Sequence, residues 1–72
     1  MHTHPMIQIQ LNGEARDLPA GTTVAALIEL LGHVGRRVAV EVNREIVPKS
    51  RHAEHALANG DVVELVHALG GG

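Results

Sequence analysis

The sequence predicts a small α+β domain in which one helix lies across a mixed sheet of four to five strands. Three observations carry this. Apolar and polar residues alternate with period two over residues 7–11, and Val38, Val40 and Val42 recur at every second position, which marks strands with one buried face. Val24, Leu27, Ile28 and Leu31 recur at i, i+3, i+4 and i+7, giving one helix a single apolar stripe. Asn12-Gly13, Asn43-Arg44 and Asn59-Gly60-Asp61 punctuate the apolar runs as turns.

Met1-His2-Thr3-His4-Pro5 is polar and aperiodic, so residues 1–5 are expected to be a flexible leader to a domain over residues 6–69. Its two histidines have no third ligand at a fixed spacing, and no metal site is expected. Ile7-Gln8-Ile9-Gln10-Leu11 is the first strand. Asn12-Gly13 tolerates the positive φ angles of a type I′ turn, and the return strand runs over residues 14–18 until Pro19-Ala20-Gly21. Thr22 or Thr23 caps the helix through its hydroxyl. Gly32 suits the left-handed position just past the helix end. Val38, Val40 and Val42 form a strand, Asn43-Arg44 a turn, and Glu45-Ile46-Val47 a short strand. Pro48 ends that strand and cannot donate to a ladder, which places it at a sheet edge. Residues 50–58 are polar apart from alanines and Leu57, and are expected to hold one helical turn packed by Leu57. His52 and His55 are expected on its solvated face. The last strand covers residues 62–69, with Val63, Leu65 and His67 on one face and Val62, Val66 and Ala68 on the other.

Composition excludes several functions. With 72 residues there is one domain, and with no cysteine there is no disulfide, thiolate metal site or thiol nucleophile. The absence of Phe, Trp and Tyr leaves an aliphatic core and no ring on which a base can stack. Net charge is −2 and the basic residues are scattered, which argues against nucleic acid as a partner. No apolar run has membrane-spanning length and no signal peptide is visible. The expectation is a soluble cytoplasmic domain, monomeric in isolation, with no bound cofactor. An enzyme is not expected either: there is no triad, no phosphate-cradling glycine loop and no acid/base pair. Glu41 and Glu45 read as strand-edge charges.

The chain closes on Val66-His67-Ala68-Leu69-Gly70-Gly71-Gly72. Three glycines do not hold a packed structure, so residues 70–72 are expected to form a flexible tail. Residues 69–72 span roughly 13 Å when extended, enough to enter another protein's active site. Glycine-rich ends commonly just fray, so the upstream fold has to supply any functional meaning. Val62, Val66 and Ala68 make a small apolar patch on the open face of the last strand, suited to docking. The element order, two strands, a helix and then three strands, closes most simply with the first and last strands central and parallel. That is the β-grasp, or ubiquitin-like, arrangement.

Val42-Asn43-Arg44-Glu45-Ile46-Val47-Pro48-Lys49, the later Asn59-Gly60-Asp61 and the terminal Gly71-Gly72 together resemble the ThiS family, the sulfur carriers of thiamin biosynthesis. Asn12-Gly13 and Thr23-Val24 fit the same pattern, and the similarity runs from about Met6 to Gly72. The resemblance implies that the working group is the Gly72 carboxylate, presented by Gly71. An E1-like adenylyltransferase (ThiF type) would activate it with ATP and Mg²⁺. A persulfide sulfur donor would convert it to a thiocarboxylate, and a thiazole synthase (ThiG type) would take the sulfur. Val62, Val66, Ala68, Leu69 and Gly70 are the expected partner contacts. The chain would then be a protein cosubstrate. Alternatives are a small subunit of molybdopterin synthase (MoaD type), a ubiquitin-like protein modifier, or an interaction domain with an incidental tail.

Overall fold

Asn12 and Gly13 adopt φ of 49° and 86°, the pair of left-handed conformations a type I′ turn needs. The chain therefore doubles back at once, and β1 (Met6–Leu11) pairs antiparallel with β2 (Glu14–Pro19). The structure, a computed structural model, describes residues 5–35 and 37–67. Residues 1–4 of the expected leader, and Ala68, Leu69, Gly70, Gly71 and Gly72, lie outside the described residues.

The helix α1 (Val24–Leu30) begins where Thr23 accepts a hydrogen bond from the Ala26 N–H at 3.1 Å. The other free donors of its first turn go to a distant segment. Val24 N–H donates to the His55 carbonyl and Ala25 N–H to the His52 carbonyl, each at 2.9 Å. At the far end Gly32 takes φ of 77°. The Gly32 N–H then donates to Glu29 and the His33 N–H to Ile28, each at 3.0 Å. This is a Schellman motif, and it satisfies two of the carbonyls every helix leaves open. Val24, Leu27 and Ile28 are buried and Leu31 half-buried, as the stripe requires.

Three more strands follow: β3 (Val38–Val42), β4 (Glu45–Val47) and β5 (Val62–His67). The sheet order is β2-β1-β5-β3-β4. β5 is central, parallel to β1 and antiparallel to β3, and β4 is an edge. One helix across this five-stranded mixed sheet is the predicted β-grasp arrangement. The aliphatic core, including Ile9, Leu18, Leu27, Val40, Leu57, Val63 and Leu65, lies between sheet and helix.

Three local expectations need correcting. The turn before β5 is a 3₁₀ turn, Lys49–Arg51, starting one residue earlier than expected. His52 is buried at 8% exposure, with its Nε2 2.9 Å from the Val47 carbonyl, so it does not share a solvated face with half-buried His55. The tight turn folds beneath the end of β4 and aims the ring back at it. Glu41 is no edge charge, because β3 runs between β5 and β4.

Asn12 also extends the parallel ladder. Its backbone N–H donates to Val63 O at 2.9 Å. Past that point β1 turns away, and the Asn12 side chain replaces it. Its Oδ1 accepts from the Leu65 N–H at 2.9 Å and its Nδ2 donates to the Leu65 carbonyl at 3.2 Å. Asn12→Ala should lower the unfolding free energy by about 2 kcal/mol, since it removes both bonds and leaves a part-buried peptide group without them. A urea titration checks this, and Asn12→Asp, which keeps only the acceptor, should fall between the two.

Candidate functional site: the central strand and its open face

The strand that leads toward the C-terminus is held on both sides, by β1 and by β3. At its start, the Asn43 side chain grips it as Asn12 does further along. Asn43 Oδ1 accepts from the Val62 N–H at 2.9 Å, its Nδ2 donates to Asp61 Oδ1 at 3.0 Å, and its own N–H donates to Val62 O at 2.7 Å. Asp61 uses its second oxygen to accept from the Ala58 N–H at 2.8 Å. Asn59 Oδ1 accepts from the Gln8 N–H, and the Gly60 N–H returns to Gln8 O. Asn43 holds φ of 52° in a second left-handed pair with Arg44, at 71°. Each asparagine thus shapes a tight turn and secures β5, a double use open to a residue that tolerates positive φ and carries an amide.

Strand alternation sorts the β5 side chains. Val63 and Leu65 are buried against the helix side, while Val62 and Val66 are 42% and 61% exposed on the open face. The structure therefore puts two of the expected partner contacts together on one surface. Ala68, Leu69, Gly70, Gly71 and Gly72 lie outside the described residues. Across the open face Val66 pairs with Ala39 and Val62 with Gln10. Between them Glu64 stands directly opposite Glu41, and Glu41 opposite the exposed Ile46. The face is a set of apolar side chains divided by two carboxylates, a feature not anticipated from sequence. Which strands lie side by side is a property of the whole fold, so no local pattern could pair residues 23 positions apart.

Where the described part of β5 ends, His67 turns toward the helix side. Its Nε2 lies 3.0 Å from His33 Nδ1, with the rings edge-on at 86° and their centroids 4.1 Å apart. Among the described residues no three His, Cys, Asp or Glu side chains form a group able to hold a metal ion. No helix among them is long and apolar enough to cross a membrane.

A model of the ThiS family matches residues 9–72. The chain belongs to the ThiS family. It is 35% identical over 66 residues to the sulfur carrier protein ThiS of Escherichia coli, covering 92% of this chain and all of that one. A solved structure of the thiamine biosynthesis protein ThiS from Geobacter metallireducens superposes with a TM-score of 0.78 at 25% identity, over 92% of this chain and all of the other. The β-grasp expectation and the ThiS resemblance are both borne out. The chain is also 48% identical, over 92% of its length, to a thiazole synthase of Paramagnetospirillum magneticum, of which it spans only 20%.

Facing carboxylates across two strands repel one another. Glu64→Gln should therefore raise the unfolding free energy by about 0.3 kcal/mol at low ionic strength, with the gain shrinking near 1 M salt as screening sets in. Denaturant titrations at the two ionic strengths check the sign and the salt dependence.

Proposed function

We propose that this ThiS-family sulfur carrier works through the carboxylate of Gly72 and supplies the sulfur for thiazole formation in thiamin biosynthesis. The observation that carries the reading is the grip on β5: a central strand, bonded on both sides, leads within five residues to Gly71-Gly72. Family membership and the thiazole synthase relatives support the pathway over transfer to a molybdopterin precursor.

A carboxylate is a poor electrophile, because its charge is delocalised and oxide is a poor leaving group. An E1-like adenylyltransferase joins it to AMP from ATP, with Mg²⁺ on the phosphates and pyrophosphate released. The terminal sulfur of a persulfide then attacks the acyl carbon and expels AMP, leaving an acyl disulfide. A thiol cleaves the S–S bond and frees the thiocarboxylate. Thiazole synthase consumes that sulfur and returns the carboxylate. The ATP, the metal and the sulfur donor all belong to partners, so the chain is a cosubstrate with no active site of its own. Gly70, Gly71 and Gly72 lack Cβ atoms, which lets a narrow channel close around the backbone. Val62, Val66, Ala68 and Leu69 supply apolar contact at the base of that channel, and the Glu41–Glu64 pair favours partners carrying cationic groups. The carrier meets its partners in the cytoplasm as a single chain.

The test is the intact mass of the chain before and after incubation with ATP, Mg²⁺, a sulfur source and the adenylyltransferase. The expected product has one oxygen replaced by sulfur, localised to the C-terminal fragment and reactive toward an alkylating agent. Methionine oxidation at Met1 or Met6 changes the mass almost identically, and localisation separates the two. An unmodified tail, with the enzyme active on another carrier, would overturn the proposal for that enzyme. Val66→Asp should lower stability by only about 1 kcal/mol, leaving the chain folded, yet slow thiocarboxylate formation by about tenfold, read from the same mass assay against time.

A further inference from the structure

We infer, on the carrier reading above, that His33 is a positioning residue for the sulfur transfer: its ring latches His67 and so fixes the place at which the segment carrying Gly72 leaves the sheet. β1 pairs with β5 at Gln10 with Val62 and at Leu11 with Val63, and the Asn12 amide extends that side to Leu65. Past Leu65 the ladder described for β5 is the one with β3 alone, through Ala39 with Val66 and Val38 with His67. Val38 opens β3 and His67 closes β5, so theirs is the terminal pair. A strand end held from one side opens at little cost in free energy.

His33 adds a hold from the helix side. It follows Gly32, whose φ of 77° turns the chain at the end of α1, and its own N–H is tied to the Ile28 carbonyl at 3.0 Å. The helix end therefore fixes where this ring stands. Its Nδ1 lies 3.0 Å from Nε2 of His67, 34 residues further along the chain, and the rings meet edge-on at 86°. One facing nitrogen carries a hydrogen and the other accepts it, so each satisfies the other. Both residues are half-buried, and water competes less for such a bond than for an exposed one.

With the latch closed, His67 and the exposed Val66 are ordered before any partner arrives, and the five residues after His67 carry the carboxylate. With it open, the last firm hold is the Asn12 grip on Leu65, and seven residues follow that. The longer span dilutes the carboxylate at a docked partner's active site by about 1.7-fold, the three-halves power of the length ratio. The larger effect falls on docking. Val66 is one of the expected partner contacts, and a loosened Val66 has to be ordered at the moment the partner binds, which weakens binding. His33 acts through His67, five residues from the carboxylate, so the loss appears in KM and leaves kcat in place.

The experiment measures steady-state thiocarboxylate formation by intact mass against carrier concentration, for the full chain and for His33→Ala, His67→Ala and the double variant. Backbone ¹⁵N order parameters of each are recorded alongside. At Val66 and His67 they should be about 0.85 in the parent and fall toward about 0.6 in each single variant, with Val40 unmoved. KM should rise about fivefold, as expected for ordering roughly one residue's backbone on docking, while kcat changes by less than about twofold. The double variant should match either single one, because the two rings act as a unit. His33→Asn, whose amide puts a donor or acceptor where Nδ1 stood, should restore both readouts, which a purely structural defect would not show. If the amide spectrum shows one single variant to be unfolded, the other carries the test. The latch is overturned if Val66 and His67 stay as rigid in the folded variants as in the parent, if the two substitutions add, or if kcat falls while KM holds. A parent chain left unmodified overturns the carrier reading instead, and the order parameters still decide whether the rings hold the strand end.

Discussion

The structure depends on holding a strand that has neighbours on both sides but a turn too soon on one of them. β1 ends at Leu11 and β5 continues to His67, so the parallel ladder runs out while the central strand still has peptide groups to satisfy. A peptide N–H and carbonyl left unpaired in a part-buried position cost about 1–3 kcal/mol each. In a domain of this size, with an aliphatic core and no disulfide, that is a large share of the total stability. The Asn12 amide removes the problem by presenting an acceptor and a donor at the spacing of a peptide group. At the start of the strand Asn43 satisfies Val62 with side chain and backbone together, its Oδ1 accepting from the Val62 N–H and its own N–H donating to the Val62 carbonyl.

This requirement connects the fold to the chemistry. On the function proposed above, the chain offers its terminus to successive partners, and the tail has to be thin where it enters them. The strand before it must be steady where they dock. On that reading the glycines would meet the first need, since they carry no side chains. The asparagine clamps and the β3 pairing meet the second. Val62 and Val66, on the face turned away from the helix, can be exposed because Val63 and Leu65 already supply the apolar burial β5 needs.

Local pattern revealed much of this. Period-two alternation located β1 and β3, the helix stripe located the core contacts, and Asn12-Gly13 and Gly32 marked turns that the φ angles confirm. What escaped were relations between distant positions. Asn12 was legible as a turn residue, but its bonds to Leu65 depend on a β1–β5 pairing 53 residues away. Glu41 was misread as an edge charge because strand order is not written in the strand itself. His52 was placed on a solvated face because its partner, the Val47 carbonyl, becomes available only once the 3₁₀ turn folds under β4. The His33–His67 contact had half a signal, since Gly32 fixed where His33 emerges but nothing local pointed to its partner. Ala68, Leu69, Gly70, Gly71 and Gly72 rest on sequence and family alone.

Amide hydrogen exchange along β5 tests the central claim most directly. If the strand is a fixed base held by its two asparagines, the Leu65 N–H should exchange only through global unfolding, as slowly as the core amides of β1 and β3. In Asn12→Ala its protection should fall selectively, while the Val40 and Ile9 amides continue to track the overall stability. Fast exchange at Leu65 in the unaltered chain would contradict the account, because the strand leading to Gly72 would then open locally and the asparagine clamp would not be what holds it.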